Sequence, residues 1–502
     1  MNNQDSPSKS SLAKWIGLFV GPLLAIVVAW LPGSITGDLS PDAQTTAAIA
    51  IFMAVWWMTE AVPLPVTALF PLVLFPLTGV LTPDEAATPY ANKFVFLFLG
   101  GFMIARAVER WELHRRIALM TVLAAGTQPT RLIAGFMIAT AGLSMWISNT
   151  ASTVMMLPIG MSLVALVHDH LRTDESVPPE APTNFALCMM LGIAYAASIG
   201  GVATLIGTPT NLFLAGFAAE HQITLGFGRW MLFATPMSVL FLWIAWLCLT
   251  RVVFPVRVRE IPGGRGLIRG ELKKMGSVSR GEWTVLIVFA TTALCWVVRE
   301  PLTEWTWLVE RIPAIGRVND TLIALAGALI LFVLPINARQ GVFALDWKTA
   351  SNIPWGVLLL FGGGYSLAQA MKQSHLGDWI GQQVASLAEF PTAVLVIVVV
   401  VMVVFLTEIT SNTPTAAAFV PILFGVAGGL GVAPIMFLVP ATLAASCAFM
   451  LPVATPPNAI VFGSGYVPIK SMIRAGIWLN AVSIVLIPLW TYLVGRWVFS
   501  VP

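Results

Sequence analysis

Two short runs of hydrogen-bonding side chains lie within long apolar stretches of this 502-residue chain. They are Ser148-Asn149-Thr150 and Ser411-Asn412-Thr413, and the second follows the first at an offset of 263 residues. The flanks repeat at the same offset, since Ser144 corresponds to Thr407. Hydroxyl and amide side chains are costly in an apolar environment unless they are paired. The repeat therefore predicts an internally duplicated chain with a two-part site for a polar ligand.

Each tripeptide is followed by a second polar interruption that contains proline. The first reads Gly207-Thr208-Pro209-Thr210-Asn211, and the second reads Ala454-Thr455-Pro456-Pro457-Asn458. Proline has no amide hydrogen and clashes with the preceding turn, so both helices are expected to break there. A break frees backbone carbonyls and exposes a new helix N-terminus, which a membrane tolerates only where it lines a cavity or is buried by protein.

The residue types at these positions suit two kinds of ligand. Hydroxyl, amide and carbonyl oxygens are hard ligands for Na⁺, whereas helix N-termini, with about half a positive charge each, suit a carboxylate or a sulfate. No Arg or Lys falls within either tripeptide or either break. An anion would therefore depend on amides, hydroxyls, helix ends and bound cations. The alternative is that these side chains only join packed membrane helices, and that the prolines only kink them.

Composition restricts the class of protein. The chain is 57% hydrophobic and only 10% charged, and its mean hydropathy is +0.85. Soluble domains carry about 25% charged residues, and a net charge of +3 gives no reason to expect nucleic acid as a partner. The predicted fold class is an all-α polytopic membrane protein in a lipid bilayer, with about eleven spanning helices. These are predicted at 15–31, 46–62, 63–80, 94–108, 184–220, 229–250, 283–298, 321–337, 355–371, 433–463 and 475–497.

Two further apolar stretches, 131–168 and 392–430, contain the tripeptides near their middles. Short segments rich in Lys and Arg belong in the cytoplasm, which places 106–116 and 251–280 there. Both segments reach the cytoplasm only if each interrupted stretch is a re-entrant hairpin, the first entering from the cytoplasm and the second from outside. The N-terminus is then inside and the C-terminus outside.

This predicted topology makes the two halves inverted repeats, because helix 94–108 runs inward and its counterpart 355–371 runs outward. The pairs Gly100-Gly101 and Gly363-Gly364 in these two helices are also related by the offset of 263 residues. Inverted repeats with interrupted helices near the bilayer midplane are typical of secondary transporters.

The sequence resembles the divalent anion/sodium symporter family, the INDY-type carriers of dicarboxylates, citrate and sulfate. The matching segments are Trp56–Pro63 before Pro65-Val66-Thr67, Ser144–Thr150 and Thr407–Thr413. The resemblance implies a homodimer in the cell (inner) membrane, in which a transport part slides past a scaffold part in an elevator motion. It would assign 1–14 to a cytoplasmic tail, 15–130 and 229–391 (with the basic cytoplasmic loop 251–280) to the scaffold, and 131–228 and 392–502 to the transport part.

The resemblance also implies roles for individual residues. One Na⁺ site would consist of Ser144, Ser148, Asn149 and the Gly207 carbonyl. The other would consist of Thr407, Asn412 and the carbonyls of Thr410 and Ala454. The substrate carboxylates would contact both tripeptides, namely Ser148, Asn149, Thr150, Ser411, Asn412 and Thr413, with Thr208 and Pro456 beside them.

The leading functional hypothesis is Na⁺-coupled symport of a C4-dicarboxylate such as succinate, malate or fumarate. Citrate or sulfate transport, or sodium-independent exchange, would use the same fold. An ion channel would show a polar pathway along several helices. Here the polar residues concentrate at the two tripeptides, which form the tips of the predicted hairpins, and at the two proline breaks. An intramembrane enzyme would require paired acids, or Ser with His, inside the spans. The five histidines fall in loops or at span ends, so the chain is predicted not to be an enzyme.

Glu408 lies just before the second tripeptide, where an isolated carboxylate is costly and is a candidate functional group. It could relay protons, shape the outer sodium site, lie near water, or accept hydrogen bonds from backbone amides. Its counterpart at the same offset is Met145. This difference between the halves favours a structural role.

Overall fold

The computed structural model describes residues 9–126, 128–171, 180–256 and 264–499. Helices form most of these ranges, and the strand pair found in them is antiparallel, with Pro335–Asn337 (β1) beside Val342–Phe343 (β2). Within the same ranges, seven helices have the length and apolar composition needed to cross a membrane. They cover Leu12–Ala29, Pro83–Arg110, Asn149–His168, Ala181–Gly201, Phe227–Val253, Arg280–Glu304 and Ile469–Val498.

The helices follow the apolar stretches of the sequence, and several begin at proline, which is favoured in the first turn because its missing amide hydrogen has no partner there. Those of the first half are α1 (Lys9–Ala29), α2 (Gly33–Thr36), α3 (Pro41–Thr59), α4 (Leu64–Thr67), α5 (Pro71–Thr78), α6 (Pro83–Ala87), α7 (Lys93–Arg110), α8 (Leu113–Ala125), α9 (Pro129–Ser144), α10 (Asn149–Leu171), α11 (Ala181–Gly201), α12 (Pro209–Glu220) and α13 (Phe227–Leu247). Those of the second half are α14 (Gly264–Lys274), α15 (Arg280–Glu304), α16 (Thr306–Arg311), α17 (Asp320–Val333), α18 (Trp347–Ala350), α19 (Trp355–Gln373), α20 (Leu376–Gln383), α21 (Thr392–Thr407), α22 (Asn412–Gly429), α23 (Ile435–Ala445), α24 (Pro456–Gly463), α25 (Ile469–Trp490) and α26 (Arg496–Val498).

Several predicted elements differ from the structure. The span predicted at 63–80 is two short helices, α4 and α5, because Pro71 begins a new helix and cannot donate a hydrogen bond back to α4. Helix α1 begins at Lys9, inside the segment predicted as an N-terminal tail, and residues 1–8 lie outside the described ranges. The basic segment predicted as the loop 251–280 contains α14, and α8 begins within the arginine-rich segment 106–116.

The elements around the first tripeptide begin and end on one side of the molecule. The Trp246 indole donates to the carbonyl of Thr130 at 2.9 Å, which places the start of α9 near the end of α13. The Asn184 amide donates to the carbonyl of Pro255 at 3.2 Å, and α10 contacts α14. The start of α9, the end of α10 and the start of α11 therefore all lie beside residues 246–256 and 264–274, which we call the basic side.

The elements around the second tripeptide begin and end elsewhere. Near the end of α22, Gly429 packs against the backbone of Gly381 in α20, and α21 begins shortly after α20 ends. The ring of Phe424 lies 4.1 Å from the ring of His221, just beyond the end of α12. The start of α21 and the ends of α22 and α12 thus lie together, on what we call the far side.

Helix α7 connects these two sides. At its start, the Asn92 amide donates to Glu220 at the end of α12 at 2.7 Å, on the far side. Beyond its end, Arg115 of α8 pairs with Glu271 of α14 at 3.1 Å, on the basic side. The Arg106 guanidinium donates to the carbonyl of Asn352, just before α19 begins, so α7 and α19 run in opposite directions.

The duplicated glycine pairs make equivalent close contacts in α7 and α19. A Cβ atom on Gly100 would lie 2.7 Å from the carbonyl carbon of Ala324 in α17. A Cβ atom on Gly363 would lie 2.4 Å from the carbonyl oxygen of Ala68, next to α4. Both glycines are therefore required for backbone-to-backbone packing, which small residues allow between membrane helices.

A buried ion pair joins α8 to the start of α15 on the basic side. Arg116 and Glu282 lie 2.5 Å apart, and their side chains are only 8% and 5% exposed. The same guanidinium donates to the carbonyl of Gly276 at 3.0 Å, and Glu282 accepts from the backbone amide of Ser279 at 2.7 Å. The charges of both groups are therefore compensated by each other and by backbone groups.

Candidate functional site

The first tripeptide lies between the end of α9 and the start of α10, and its asparagine faces a cluster of oxygens. The fully buried Ser144 hydroxyl lies 2.5 Å from Asn149 Oδ1 and 2.7 Å from the carbonyl oxygen of Ala197. The Asn149 amide group also lies 3.2 Å from the Ala197 carbonyl and 3.3 Å from the Gly207 carbonyl. The structure thus brings the predicted Ser144, Asn149 and Gly207 together and adds the carbonyl of Ala197.

This cluster fits a cation. With its nitrogen turned toward the two carbonyls, the Asn149 amide donates hydrogen bonds to both. With its oxygen turned toward them, four oxygens converge, and the single hydroxyl hydrogen of Ser144 cannot satisfy all of them. Carbonyls freed by an unwound helix, together with side-chain oxygens, are the ligands that transporters use for Na⁺.

The second tripeptide repeats this geometry between α21 and α22. The Thr407 hydroxyl, also fully buried, lies 2.8 Å from Asn412 Oδ1 and 2.8 Å from the carbonyl oxygen of Ala445. Ala445 is the last residue of α23, just as Ala197 lies near the end of α11. The predicted Thr407 and Asn412 are thus in contact, whereas the roles of the Thr410 and Ala454 carbonyls stay predictions.

The chain leaves helical conformation between α11 and α12 and between α23 and α24, where the prolines predicted breaks. The residues that precede the new helices have matching backbones, with φ −137° and ψ 142° at Thr208 and φ −141° and ψ 147° at Thr455. Both helices then start at proline, at Pro209 and Pro456. The two new helices therefore begin from the same backbone conformation, although only Thr455 also caps its helix through its side chain.

Asparagines inside the new helices hold both unwound segments. Asn211 donates to the carbonyls of Val202 and Thr204 at 2.9 and 2.8 Å. Asn458 donates to the carbonyls of Ala448 and Leu451 at 3.1 Å each. Both asparagines lie in the predicted breaks, three residues after Thr208 and Thr455, and this shared spacing is the sequence signal for their role.

The two halves meet at these segments. The hydroxyls of Thr208, Thr210 and Ser446 form a chain, with distances of 3.3 and 2.7 Å, that crosses from the first break to the second. Helix α24 contacts α10 and α11, while α12 contacts α22 and α23. Each half therefore packs its second helix onto the tripeptide helix of the other half, which brings the N-termini of α10, α12, α22 and α24 into one region.

The predicted substrate residues are more accessible than the predicted sodium residues. Ser148, Thr150 and Pro456 are exposed, and Asn149, Ser411, Asn412 and Thr413 are partly exposed, whereas Thr208 is buried. In the described part of the chain, the hydroxyls of Thr150, Ser411 and Thr413 have no hydrogen-bond partner. The two tripeptides thus offer free hydroxyls to a ligand, next to the buried oxygen clusters at Ser144 and Thr407.

Glu408 accepts hydrogen bonds from backbone amides, which is one of the alternatives that its position in the sequence left open. Its carboxylate accepts from the backbone amides of Phe449, Met450 and Leu451 and from the side chain of Asn480. These residues lie in the second break and in α25, more than 40 positions further along the chain. The favoured structural role for Glu408 therefore agrees with its contacts.

Comparison with known proteins identifies relatives over nearly the whole chain. The family described as the sodium:sulfate symporter transmembrane region matches residues 12–501. The sodium-dependent dicarboxylate transporter SdcS of Staphylococcus saprophyticus is 40% identical over 494 residues, which cover 98% of this chain and 93% of that protein. SdcS of Staphylococcus aureus is 40% identical over 486 residues, covering 96% and 92%.

A solved structure supports the fold. The crystal structure of the YdaH transporter of Alcanivorax borkumensis aligns with a TM-score of 0.53, covering 97% of this chain and 98% of that one. Its identity is 16%, so the likeness concerns the fold alone. Together with the full-length match to SdcS, these findings show that the chain is a multi-pass membrane protein that belongs to the sodium:sulfate symporter family.

Proposed function

We propose that this protein is a secondary active transporter that carries dicarboxylates such as succinate, malate or fumarate into the cell together with Na⁺. The observation that supports it most directly is the duplicated oxygen cluster, Ser144 with Asn149 and Thr407 with Asn412, each set against a carbonyl near the end of an interrupted helix. The relatives named as sodium-dependent dicarboxylate transporters support the choice of cation and cargo. No chemical conversion of the substrate is part of the proposal.

Two sodium ions would bind at these clusters, and the dicarboxylate would bind above them. The first site would use Ser144, Ser148, Asn149 and the Gly207 carbonyl, and the second Thr407, Asn412 and the carbonyls of Thr410 and Ala454. The Ala197 and Ala445 carbonyls lie close enough to join them. The substrate carboxylates would then meet the free hydroxyls at both tips, beside Thr208 and Pro456.

The physical reason for coupling lies in the charge of the site. A dianion brought to this region meets helix N-termini and hydroxyls, and neither tip nor break contains a basic residue. The partial charge at a helix N-terminus is about half a unit, so two bound Na⁺ ions would supply a large share of the compensating positive charge. Substrate binding without sodium would therefore be weak.

We propose further that α9–α10 and α21–α22 are re-entrant hairpins in inverted repeats. Both ends of the first pair lie on the basic side and both ends of the second lie on the far side, which supports this proposal. The basic side would be cytoplasmic, with the N-terminus inside and the C-terminus outside.

Labelling of single introduced cysteines tests this topology. Ser386, between α20 and α21, and Ser277, between α14 and α15, are both exposed. With a membrane-impermeant maleimide, Ser386→Cys is expected to react in intact cells, and Ser277→Cys only after the membrane is permeabilised. The unsubstituted chain, whose described cysteines are buried or half-buried, is the control. The opposite pattern would reverse the proposed orientation.

The proposed motion is an elevator movement within a homodimer in the cell (inner) membrane, with scaffold segments 15–130 and 229–391 and transport segments 131–228 and 392–502. Helix α13 lies largely in a scaffold segment by this division, yet it contacts α9, α11 and α25 of the transport segments. We therefore propose that α13 moves with the transport part.

The function is tested by uptake of labelled succinate into proteoliposomes that contain the purified protein. An inward Na⁺ gradient is expected to raise the initial rate at least tenfold over the same gradient of choline, because the sodium ions carry charge that the site lacks. Labelled citrate and sulfate are the competing cargoes. Succinate uptake that ignores Na⁺ but depends on dicarboxylate inside the vesicles would replace symport with exchange.

A further inference from the structure

Glu408 is a buried carboxylate that is paired only with uncharged donors. It is 3% exposed, and it accepts hydrogen bonds from the amides of Phe449 and Leu451 at 2.7 and 3.1 Å and from Asn480 at 2.7 Å. The amide of Met450 donates to both carboxylate oxygens, at 2.9 and 3.0 Å. Among the residues that the structure describes, no Lys, Arg or His forms an ion pair with it. Buried charges are normally paired, so the compensation for this one has to be sought elsewhere.

The first half of the molecule shows that the hydrogen bonds alone do not require a charge. There Met145 takes the place of Glu408, and the Thr204 hydroxyl donates to the carbonyl of Met145. The same hydroxyl accepts from the amide of Gly207 at 3.0 Å, which holds the first break against the first tip. A neutral hydroxyl thus does in one half what a carboxylate does in the other.

The Thr204 hydroxyl and the Glu408 carboxylate, which each hold a break against a tripeptide, act at corresponding positions in the two halves. The offset that relates Asn211 to Asn458 also relates Thr204 to Leu451, whose amide is one of the donors to Glu408. The second half therefore has a leucine where the first has the threonine, and a glutamate where the first has methionine. The contacts of Ser144 with Asn149 and the Ala197 carbonyl have counterparts in those of Thr407 with Asn412 and the Ala445 carbonyl. The negative charge beside the second set is an electrostatic difference between the two proposed sodium sites.

We propose that Glu408 is a positioning residue whose charge makes the second sodium site, at Thr407 and Asn412, the tighter of the two, so that it fills first. This inference rests on the proposed function. Glu408 directly follows Thr407, and the length of the backbone and side chains puts its carboxylate on the order of 10 Å from a cation at that site. At this distance and an effective dielectric constant of about 20, a unit charge changes the affinity for a monovalent cation roughly tenfold. The carboxylate also shapes the second break without touching substrate.

Replacing the glutamate arrangement of the second half by the methionine and threonine arrangement of the first separates the effect of the charge from that of the hydrogen bonds. The double variant Glu408→Met with Leu451→Thr gives the second half the neutral arrangement of the first. In succinate uptake, we expect it to keep the maximal rate within about threefold of the unsubstituted protein, while the Na⁺ concentration for half-maximal uptake rises roughly tenfold. An unchanged Na⁺ requirement with a normal maximal rate would show that Glu408 acts only through its hydrogen bonds, and would overturn the proposal.

A second measurement does not depend on how well that variant folds. The midpoint of thermal unfolding of the purified protein is followed against NaCl, with choline chloride keeping ionic strength constant and no dicarboxylate present. Binding of Na⁺ to the folded state raises this midpoint, and two components that differ roughly tenfold in affinity are expected. Thr407→Ala should remove the tighter component, and Ser144→Ala should remove the weaker one.

The outcomes are distinct. A single component in the unsubstituted protein, or loss of the tighter component in Ser144→Ala, would contradict the proposed order of filling. Because this titration contains no dicarboxylate, it reports on sodium binding even if succinate is not the cargo. Failure of succinate uptake in the unsubstituted protein would count against the proposed function and leave the order of the sodium sites to the titration.

Discussion

Replacing either tip asparagine, Asn149→Ala or Asn412→Ala, is expected to lower Na⁺-driven uptake by roughly 100-fold or more. A hydrogen bond to a charged group contributes about 1.5–3 kcal/mol. Each asparagine is proposed to serve both a sodium ion and the substrate, so about two such interactions are lost. A factor of ten corresponds to about 1.4 kcal/mol, and the combined loss therefore reaches at least two factors of ten. The measurement is the initial rate of succinate uptake by equal amounts of folded protein.

A third variant should reproduce this loss without altering the asparagine. A Cβ atom on Gly201 would lie 2.4 Å from Asn149 Oδ1, so Gly201→Ala displaces the amide from its oxygen cluster. Gly142→Ala, in the preceding helix α9, is the matched control, because a Cβ atom there has no neighbour within 4 Å. We expect uptake to fall at least tenfold in the first and to stay near normal in the second.

Asn319→Ala controls for loss of an asparagine as such. Asn319 is exposed and caps α17 by accepting from the amide of Leu322 at 3.0 Å, so its loss costs about 1 kcal/mol of helix stability. Its uptake should be unchanged. Near-normal uptake by Asn149→Ala or Asn412→Ala would mean that the tip asparagines only join packed helices, and the proposed site would be wrong.

The second large effect is on stability. Arg116→Leu is expected to lower the free energy of unfolding by about 3–5 kcal/mol, because it leaves the buried Glu282 carboxylate without its positive partner. At an unfolding entropy of about 2.1 cal/mol/K per residue, this corresponds to a fall of about 3–5 °C in the unfolding midpoint. The measurement is thermal unfolding of the purified protein in detergent.

The adjacent arginine provides a matched control. Arg115 pairs with Glu112 and Glu271 at distances of 3.4 and 3.1 Å, but these groups are between 24% and 57% exposed. Exposed pairs contribute about 0.2–1 kcal/mol, so Arg115→Leu should shift the midpoint by about 1 °C or less. Adding Glu282→Gln to the Arg116→Leu variant should recover part of the loss, since it removes the unpaired charge. Equal shifts for both arginines would show that the pair is not effectively buried.

The resemblance to a symporter family was visible in the sequence because its motifs are local. The tripeptides and the Thr-Pro-x-Asn breaks are contiguous residues, and the consequence of proline for a helix requires no knowledge of distant contacts. The same reasoning failed at 63–80, where hydropathy alone predicted one span. There Pro71 starts a new helix, and Gly363 from the other half packs against the carbonyl of Ala68 in the turn.

Other features depend on residues that are far apart along the chain. The carbonyls of Ala197 and Ala445 are 53 and 38 positions away from the hydroxyls that they face. No side chain marks a backbone carbonyl as a ligand, so sequence reasoning missed both. The contact of Thr210 with Ser446 joins residues 236 positions apart, and only the folded chain shows that the two breaks touch.

By itself, the sequence determined that this is a duplicated, apolar chain with two polar tips and two broken helices, since hydrophobic length and proline chemistry act locally. The tertiary structure decided which carbonyls face each tripeptide and which groups hold Glu408. It also decided that α24 packs against α10 and α11 of the first half, and α12 against α22 and α23 of the second. The Glu408 carboxylate meets three backbone amides only because the second break folds back onto the end of α21. The free-energy cost of a buried charge depends on the groups that surround it, and the fold determines which groups those are.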